Sequence, residues 1–473
     1  MSMKSPLKCG RPKPMQDPGH IRSFTPGRKW IAVMTTKRPV TILTAVFAAV
    51  FLLSFLSSCR PHVGNSSDSK APTNVLLITV SGLCANHLGC YGSPIALTPA
   101  IDELAGKGTQ FSEAYTTSDM TTPAAISLMT SMSAKYHSPY CYVGTPSKEA
   151  TTIPELLQGY ATCGAAGTFL LDPEVFPPAA TFDSYYSPGM RRRAFKATDV
   201  NLYAINFLEA NKTRPWFLWV NYSDALEPFQ PPSEYAVSNL LPYDQSVSYI
   251  DSAIATLLSA LDELHMRKNT LIILTAEHGE ALDSHGLHNE HTGLYEEVLR
   301  VPLIMTLPGS IPSQKLSGLA SILDILPTVK EILGIKGNPY SEGISLVPLI
   351  NGTAQKTNRV LFAESFLQSA TAVRSGEFKY IRYNDRIMSK EIQNDPRPAR
   401  IASSFYREQG LNELYNLEMD PAELQNLASA SKKRVEEMES LLDRWYKDSP
   451  YRNKADRPPV NLPLLTRVRM LGY

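Results

Sequence analysis

A carboxylate beside an imidazole, and a hydroxyl at the mouth of an apolar stretch, are the groups in this sequence best suited to chemistry. Glu277-His278 lies just past the apolar run Thr270–Thr275, where two such side chains could ligate a divalent cation. Thr121 opens Thr121-Thr122-Pro123-Ala124-Ala125, and its hydroxyl could attack an ester once a cation or a base activates it. The plainer reading of Thr121 is a helix-end hydroxyl that caps backbone donors. Glu277 and His278 also have a plainer reading, as a pair held by hydrogen bonds. His285, His288 and His291 recur at a spacing of three. They read as a polar loop, with a metal or anion site as the alternative.

Such residues need strand ends to position them. Asn74–Val80, Trp216–Val220, Thr270–Thr275 and Val301–Met305 are short, continuous apolar runs, the pattern of strands buried on both faces of a sheet. Pro99–Lys107 and Thr122–Met132 read as helices, the second with Pro123 in its first turn. Val247–Leu264 carries apolar residues at helical spacing. This alternation predicts an α/β fold, a central, mostly parallel sheet flanked by helices. Ligand sites in such folds gather at the carboxyl ends of the strands, which singles out Ser81, Asn221 and Glu277. Farther on, Ala372–Arg374 and Phe378–Tyr383 alternate as antiparallel strands do, and Lys432–Tyr446 is an amphipathic helix. A small C-terminal α+β subdomain over residues 366–473 is therefore expected after a main domain over 74–365.

The 473 residues are 43% hydrophobic and 19% charged, an ordinary globular balance that excludes a disordered chain or a coiled coil. The net charge of +1 conceals an asymmetry, because residues 1–38 hold nine Lys/Arg and one Asp. A basic leader before an acidic body points to targeting, and no nucleic-acid partner is expected. Arg191-Arg192-Arg193 reads as solvated surface. Pro39–Ser58 is apolar apart from small hydroxyl residues and ends in Leu56-Ser57-Ser58-Cys59, which resembles a bacterial lipobox. Lys37 and Arg38 supply its positive flank. Residues 1–59 are then a leader with its true start at Met34, Cys59 carries the lipid, and 60–73 is a linker. An uncleaved membrane helix is the other reading. The expected location is the bacterial cell envelope, periplasm or cell surface, with a lipid anchor in the membrane. Cys84, Cys90, Cys141 and Cys163 would lie in an oxidising compartment, which allows one or two disulfides.

Six segments, in order, resemble the sulfatases of the alkaline-phosphatase superfamily: Asn74–Gly92, Thr121–Thr130, Thr275–Glu280, Leu294–Ile304, Asp324–Thr328 and Glu413–Pro421. The resemblance implies the sulfatase-like α/β fold and, by ancestry, hydrolysis of sulfuric esters. It also implies a divalent cation, usually calcium, that neutralises the ester oxygens. The family nucleophile is a formylglycine made from the Cys or Ser that opens a Cys/Ser-x-Pro-Ser-Arg motif.

Against that pattern this sequence departs at the positions that matter most. Thr121 stands at the nucleophile position, and a secondary alcohol cannot be oxidised to an aldehyde, so no formylglycine is expected. Ala125 replaces the Arg of the motif, Ser81 a metal-binding Asp, and Glu277-His278 the usual Asp-His or Asp-Asn. Cys84 and Asn86 replace an Arg and an Asp, and Leu226 replaces a His. His137 is what remains of a His-Gly pair after the nucleophile helix. A late family His falls on Glu290 or, with a shift of one residue, on His291. The resemblance thus nominates Thr121, His137 and His291 for catalysis, and Glu277, His278 and Ser81 for metal. A hydroxyl at 81 removes a charge that would sit about 2.4 Å from the cation. Calcium is expected to bind weakly or not at all, with zinc or manganese as the alternatives. Two functions follow. One is a chain without sulfatase activity that binds an anionic glycan or envelope ester. The other is an active metal-dependent hydrolase or transferase of phosphoric or sulfuric esters, with Thr121 attacking as Thr does in the related phosphoethanolamine and lipoteichoic-acid transferases.

Overall fold

The computed structural model describes residues 73–137, 150–192, 194–237, 239–285, 287–290, 293–337, 340–354, 359–365, 370–383 and 412–447. The leader, the lipobox Cys59 and Cys141 lie outside the described residues. The central sheet has eight strands. In chain order they are β1 (Asn74–Val80), β2 (Thr109–Tyr115), β3 (Ala161–Ala166), β4 (Ser184–Tyr186), β5 (Trp216–Tyr222), β6 (Thr270–Thr275), β9 (Arg300–Thr306) and β10 (Gln314–Ser321), with the small hairpin β7 (Ala281–Leu282) and β8 (His288–Glu290) between the sixth and seventh of them. Their order across the sheet is β10-β2-β9-β6-β1-β5-β3-β4. Every neighbouring pair is parallel except those made by β9, which runs antiparallel to both β2 and β6.

The continuous apolar runs do become the sheet centre. All residues of β1, β5 and β6 are buried, as strands covered on both faces must be. Val75 to Val80 pair with Phe217 to Tyr222 on one side, and Asn74 to Thr79 with Thr270 to Thr275 on the other. Asn221 therefore lies within β5 rather than beyond it.

The flanking helices form two groups. In chain order the long ones are α1 (Pro99–Lys107), α2 (Thr121–Thr130), α3 (Ala197–Ala210), α4 (Pro242–Glu263), α5 (Ile325–Ile332) and α6 (Lys432–Lys447). Helix α4 packs on α1 and α3, and α2 packs on α5. Helix α2 stops at Thr130 because Ser131 turns to a left-handed φ of 56°. Helix α4 starts at Pro242, a turn earlier than its apolar spacing suggests, because proline is pre-set for a first helical position.

A second, antiparallel sheet holds β11 (Val360–Glu364), β12 (Ala370–Ser375), β13 (Phe378–Tyr383) and β14 (Glu413–Asn416), in that order. It begins at Val360, ahead of residue 366. Met438 and Leu442 of α6 cover Val373, Tyr380 and Leu414 of this sheet. Lys135, nearly buried, ties α6 to the main body. Its Nζ lies 3.1 Å from the Trp445 carbonyl oxygen and 3.3 Å from Glu342 Oε1, over the rings of Tyr136 and Trp445. Cys84, Cys90 and Cys163 are free thiols, so none of the allowed disulfides joins them to one another.

Candidate active site

The carboxyl ends of β1, β5 and β6 meet at the middle of the sheet, where Thr79 is level with both Asn221 and Thr275. The turns that leave them are locked to one another. The Ser81 amide donates to the Tyr222 carbonyl (2.9 Å) and the Gly82 amide to the His278 carbonyl (3.0 Å). Gly82 has a φ of +82°, and a Cβ there would come within 2.8 Å of the Ala225 carbonyl and 3.0 Å of Leu226 Cδ2. Leu226, where the family pattern has a His, packs its apolar side chain against this turn.

Ser81, Asn221 and Glu277 form a closed polar cluster, each fully buried. Ser81 Oγ donates to Glu277 Oε2 (3.1 Å). Asn221 Nδ2 reaches Glu277 Oε1 (2.9 Å), Ser81 Oγ (3.0 Å) and Thr79 Oγ1 (3.3 Å). The Trp219 indole N–H also donates to Thr79 Oγ1, at 2.9 Å. Asn221 was marked in the sequence only by its place near a strand end. Its position as the hub of this cluster was missed, although an amide inside the otherwise apolar Trp216–Tyr222 is the signal that could have found it. Burial pushes the Glu277 carboxyl pKa up, against the hydrogen bonds from Thr79, Ser81 and Asn221 that favour its charge.

Thr121 and His278 form a second pair beside the first. Thr121 Oγ1 lies 2.9 Å from His278 Nε2. His278 Nδ1 lies 2.7 Å from the Gly279 carbonyl oxygen, which can only accept, so Nδ1 carries a hydrogen. In the neutral ring Nε2 is then the acceptor of the Thr121 hydroxyl proton. Helix α2 takes Met120 as its N-cap with no side-chain cap bond, so Thr121 does not serve as the expected cap. Thr121 is 1% exposed and His278 is fully buried. Ala125, on the same helix, is also fully buried.

These donors do not suit a divalent cation. Calcium takes about six to eight oxygens, with carboxylates supplying most of the attraction. Of Ser81, Thr121, Asn221, Glu277 and His278 only Glu277 carries a carboxyl group, its two oxygens are bonded by Ser81 and Asn221, and burial favours its uncharged form. The two nitrogens of His278 face Thr121 and a carbonyl. Among the described residues no three His, Cys, Asp or Glu side chains converge as a ligand set. His285 is stacked on Tyr295, with ring centroids 3.8 Å apart, and its nitrogens face Glu297 and the Glu423 carbonyl. It is a packed residue of a polar loop. His137 ends the short helix Ala134–His137, while its side chain, that of His288 and all of His291 lie outside the described residues. Cys84, in the place of the family Arg, exchanges hydrogen bonds with the backbone of Glu280, both at 3.2 Å.

Sequence comparison with known families places this geometry. The profile of the family described as Sulfatase matches residues 73–335, more than half of the 473-residue chain. The chain belongs to the sulfatase family. A second profile, described as N-sulphoglucosamine sulphohydrolase, C-terminal, matches residues 284–448 of this sulfatase-family chain. It is 27% identical to human arylsulfatase A over 424 residues, covering 75% of this chain and 83% of that protein. It is 23% identical to an N-acetylgalactosamine-6-O-sulfatase of Bacteroides thetaiotaomicron, covering 83% of this chain and 96% of that one. Among solved structures, Ps i-CgsB in complex with k-i-k-neocarrahexaose superposes with a TM-score of 0.66 at 21% identity, over 85% of this chain and 97% of that one. The phosphonate monoester hydrolase of Agrobacterium radiobacter superposes with a TM-score of 0.62 at 17% identity, over 78% and 95%. Both share the sulfatase fold. Metal dependence is general in the family, and the donor set at Ser81, Asn221 and Glu277 is the departure.

Proposed function

We propose that this sulfatase-family chain has lost formylglycine-dependent sulfatase activity and acts as an envelope-anchored binder of an anionic glycan or ester. The observation that carries the reading is the closed Ser81–Asn221–Glu277 cluster, in which protein hydrogen bonds occupy the carboxyl oxygens that a cation would need. Thr121 supports it, because its side chain cannot become an aldehyde. A glycan ligand is suggested by relatives of the same fold, one in complex with k-i-k-neocarrahexaose and another with its substrate D-glucosamine-2-N,6-O-disulfate. The purified protein should contain no stoichiometric calcium, zinc or manganese by elemental analysis. It should leave aryl sulfates uncleaved and still bind sulfated oligosaccharides by calorimetry. Turnover of an aryl sulfate, or binding to none of a panel of anionic glycans, overturns the reading.

A second reading rests on the Thr121–His278 contact of 2.9 Å. In it Thr121 is the nucleophile of an ester hydrolase or transferase and His278 takes its proton. Phosphate, phosphonate and sulfate monoesters are the substrates to assay, and Thr121→Ala must abolish any hydrolysis by about 10²-fold or more if this reading holds. Equal activity of wild type and variant removes it. The anchor is a separate part of the proposal, drawn from Leu56–Cys59. Mass spectrometry of the membrane fraction should find a diacylglyceryl group on Cys59, and Cys59→Ala should release the chain from the membrane.

A further inference from the structure

Neither reading of the candidate site uses the run Arg191-Arg192-Arg193. Residues 189–199 hold four Lys/Arg and one Asp, in a body that is otherwise acidic. They lie close to the candidate site. The Phe195 amide donates to the Gly167 carbonyl at 2.8 Å, and Ala194 forms a β-bridge with Thr168. Two residues on, the Leu170 carbonyl accepts the hydroxyl of Thr122, the neighbour of Thr121, at 2.7 Å.

Flat side chains are stacked along this segment in a continuous ladder. Tyr186 ends β4, the marginal strand of the central sheet, and is 39% exposed. Its ring lies on that of Tyr203 from α3, with centroids 4.4 Å apart and planes 14° from parallel. Tyr203 leans on Phe195 at 5.5 Å, and the Arg192 guanidinium covers the Phe195 ring at 4.8 Å. Arg192 Nη2 lies 2.7 Å from Asp199 Oδ2, yet the Arg192 side chain is 57% exposed. That ion pair orients the guanidinium, whose five N–H donors exceed what one carboxylate oxygen can accept. Arg191 beside it is exposed.

The cavity of ≈ 540 Å³ beside Asn86 offers an anion no such place. The carboxyl groups of Asp283, Glu296, Glu297 and Glu423 line it, against Arg300 and the Lys379 ammonium that meets Glu296 and Glu423. An anion entering there meets net negative charge, whereas residues 189–199 carry net positive charge.

We propose that the Tyr186–Tyr203–Phe195–Arg192 ladder, with Arg191, is the surface on which an anionic oligosaccharide lies. The apolar C–H face of a sugar ring packs on Tyr186, and its sulfate or carboxylate groups meet the guanidiniums of Arg191 and Arg192. This surface rests on the glycan-binding reading, and it places the ligand outside the closed Ser81–Asn221–Glu277 cluster.

Calorimetry of the full chain with a carrageenan hexasaccharide and a heparin hexasaccharide tests it. The wild type should bind at least one of them, less tightly as salt rises. The double variant Arg191→Gln, Arg192→Gln should weaken that binding about tenfold or more, and Tyr186→Ala about threefold or more. Tyr186→Phe keeps the stack and should bind as the wild type does. Arg214→Gln removes an exposed positive charge just before β5, at the amino end of the sheet, and should leave binding unchanged. Should the double variant not fold, Arg191→Gln alone decides, with a loss of about threefold supporting the surface and no loss overturning it. Undiminished binding by the double variant, or an equal loss in Arg214→Gln, overturns the surface and leaves the glycan reading standing. Binding of neither oligosaccharide by the wild type overturns the surface, and the glycan reading falls with it.

Discussion

At Glu277 burial opposes ionisation, and the side chains that hydrogen-bond to it, Thr79, Ser81 and Asn221, are all neutral. A carboxyl group whose pKa is raised by folding weakens the fold as pH rises above 4.5, its ordinary value, because the unfolded chain ionises first. Glu277→Gln keeps the shape and cannot ionise. At neutral pH it should raise unfolding stability by about 1–3 kcal/mol, seen as a higher urea midpoint at unchanged slope. A fall in that midpoint would show that Glu277 is a working carboxylate. The sequence exposed these residues because Ser81 and Glu277 follow apolar runs. It did not expose the Thr121–His278 contact, since which ring nitrogen faces a hydroxyl depends on a backbone carbonyl one residue away, at Gly279.

The elements that present these groups leave little room. Gly279 follows His278, and a Cβ built on it would fall 1.9 Å from the Glu297 carbonyl oxygen. Its amide donates to the Val298 carbonyl at 2.8 Å. Gly279→Ala should therefore push residues 296–298 away from His278 and cost about 1–3 kcal/mol, measured by thermal unfolding. A melting temperature equal to that of the wild type would contradict the close approach. Strands with branched apolar runs, β1 and β6, were readable to the residue, because hydrophobicity alone forces them to the sheet centre. Strands β2 (Thr-Gln-Phe-Ser-Glu-Ala-Tyr), β3 (Ala-Thr-Cys-Gly-Ala-Ala) and β10 (Gln-Lys-Leu-Ser-Gly-Leu-Ala-Ser) were not. Their small and polar residues carry a weak local preference, and their partners in the sheet decide them. The antiparallel course of β9 was equally hidden, since an apolar run has no direction.

Across the whole molecule, α6 is clamped at one end by Lys135, whose ammonium meets the Trp445 carbonyl, Glu342 and two aromatic faces. Lys135→Met retains much of the volume and removes the charge. It should cost about 3 kcal/mol, and exchange should quicken in α6 before it does in β1. Uniform exchange in both would mean that α6 is held by its apolar face alone. The placement of β9 has a consequence in time. Strand β2 (Thr109–Tyr115) has two lateral neighbours, β9 and β10, and both are made after residue 299. During synthesis β2 therefore waits with both margins bare for almost two hundred residues of chain growth. A polypeptide interrupted before Arg300 carries a strand with nothing to pair with, which is an invitation to self-association rather than to a smaller folded product.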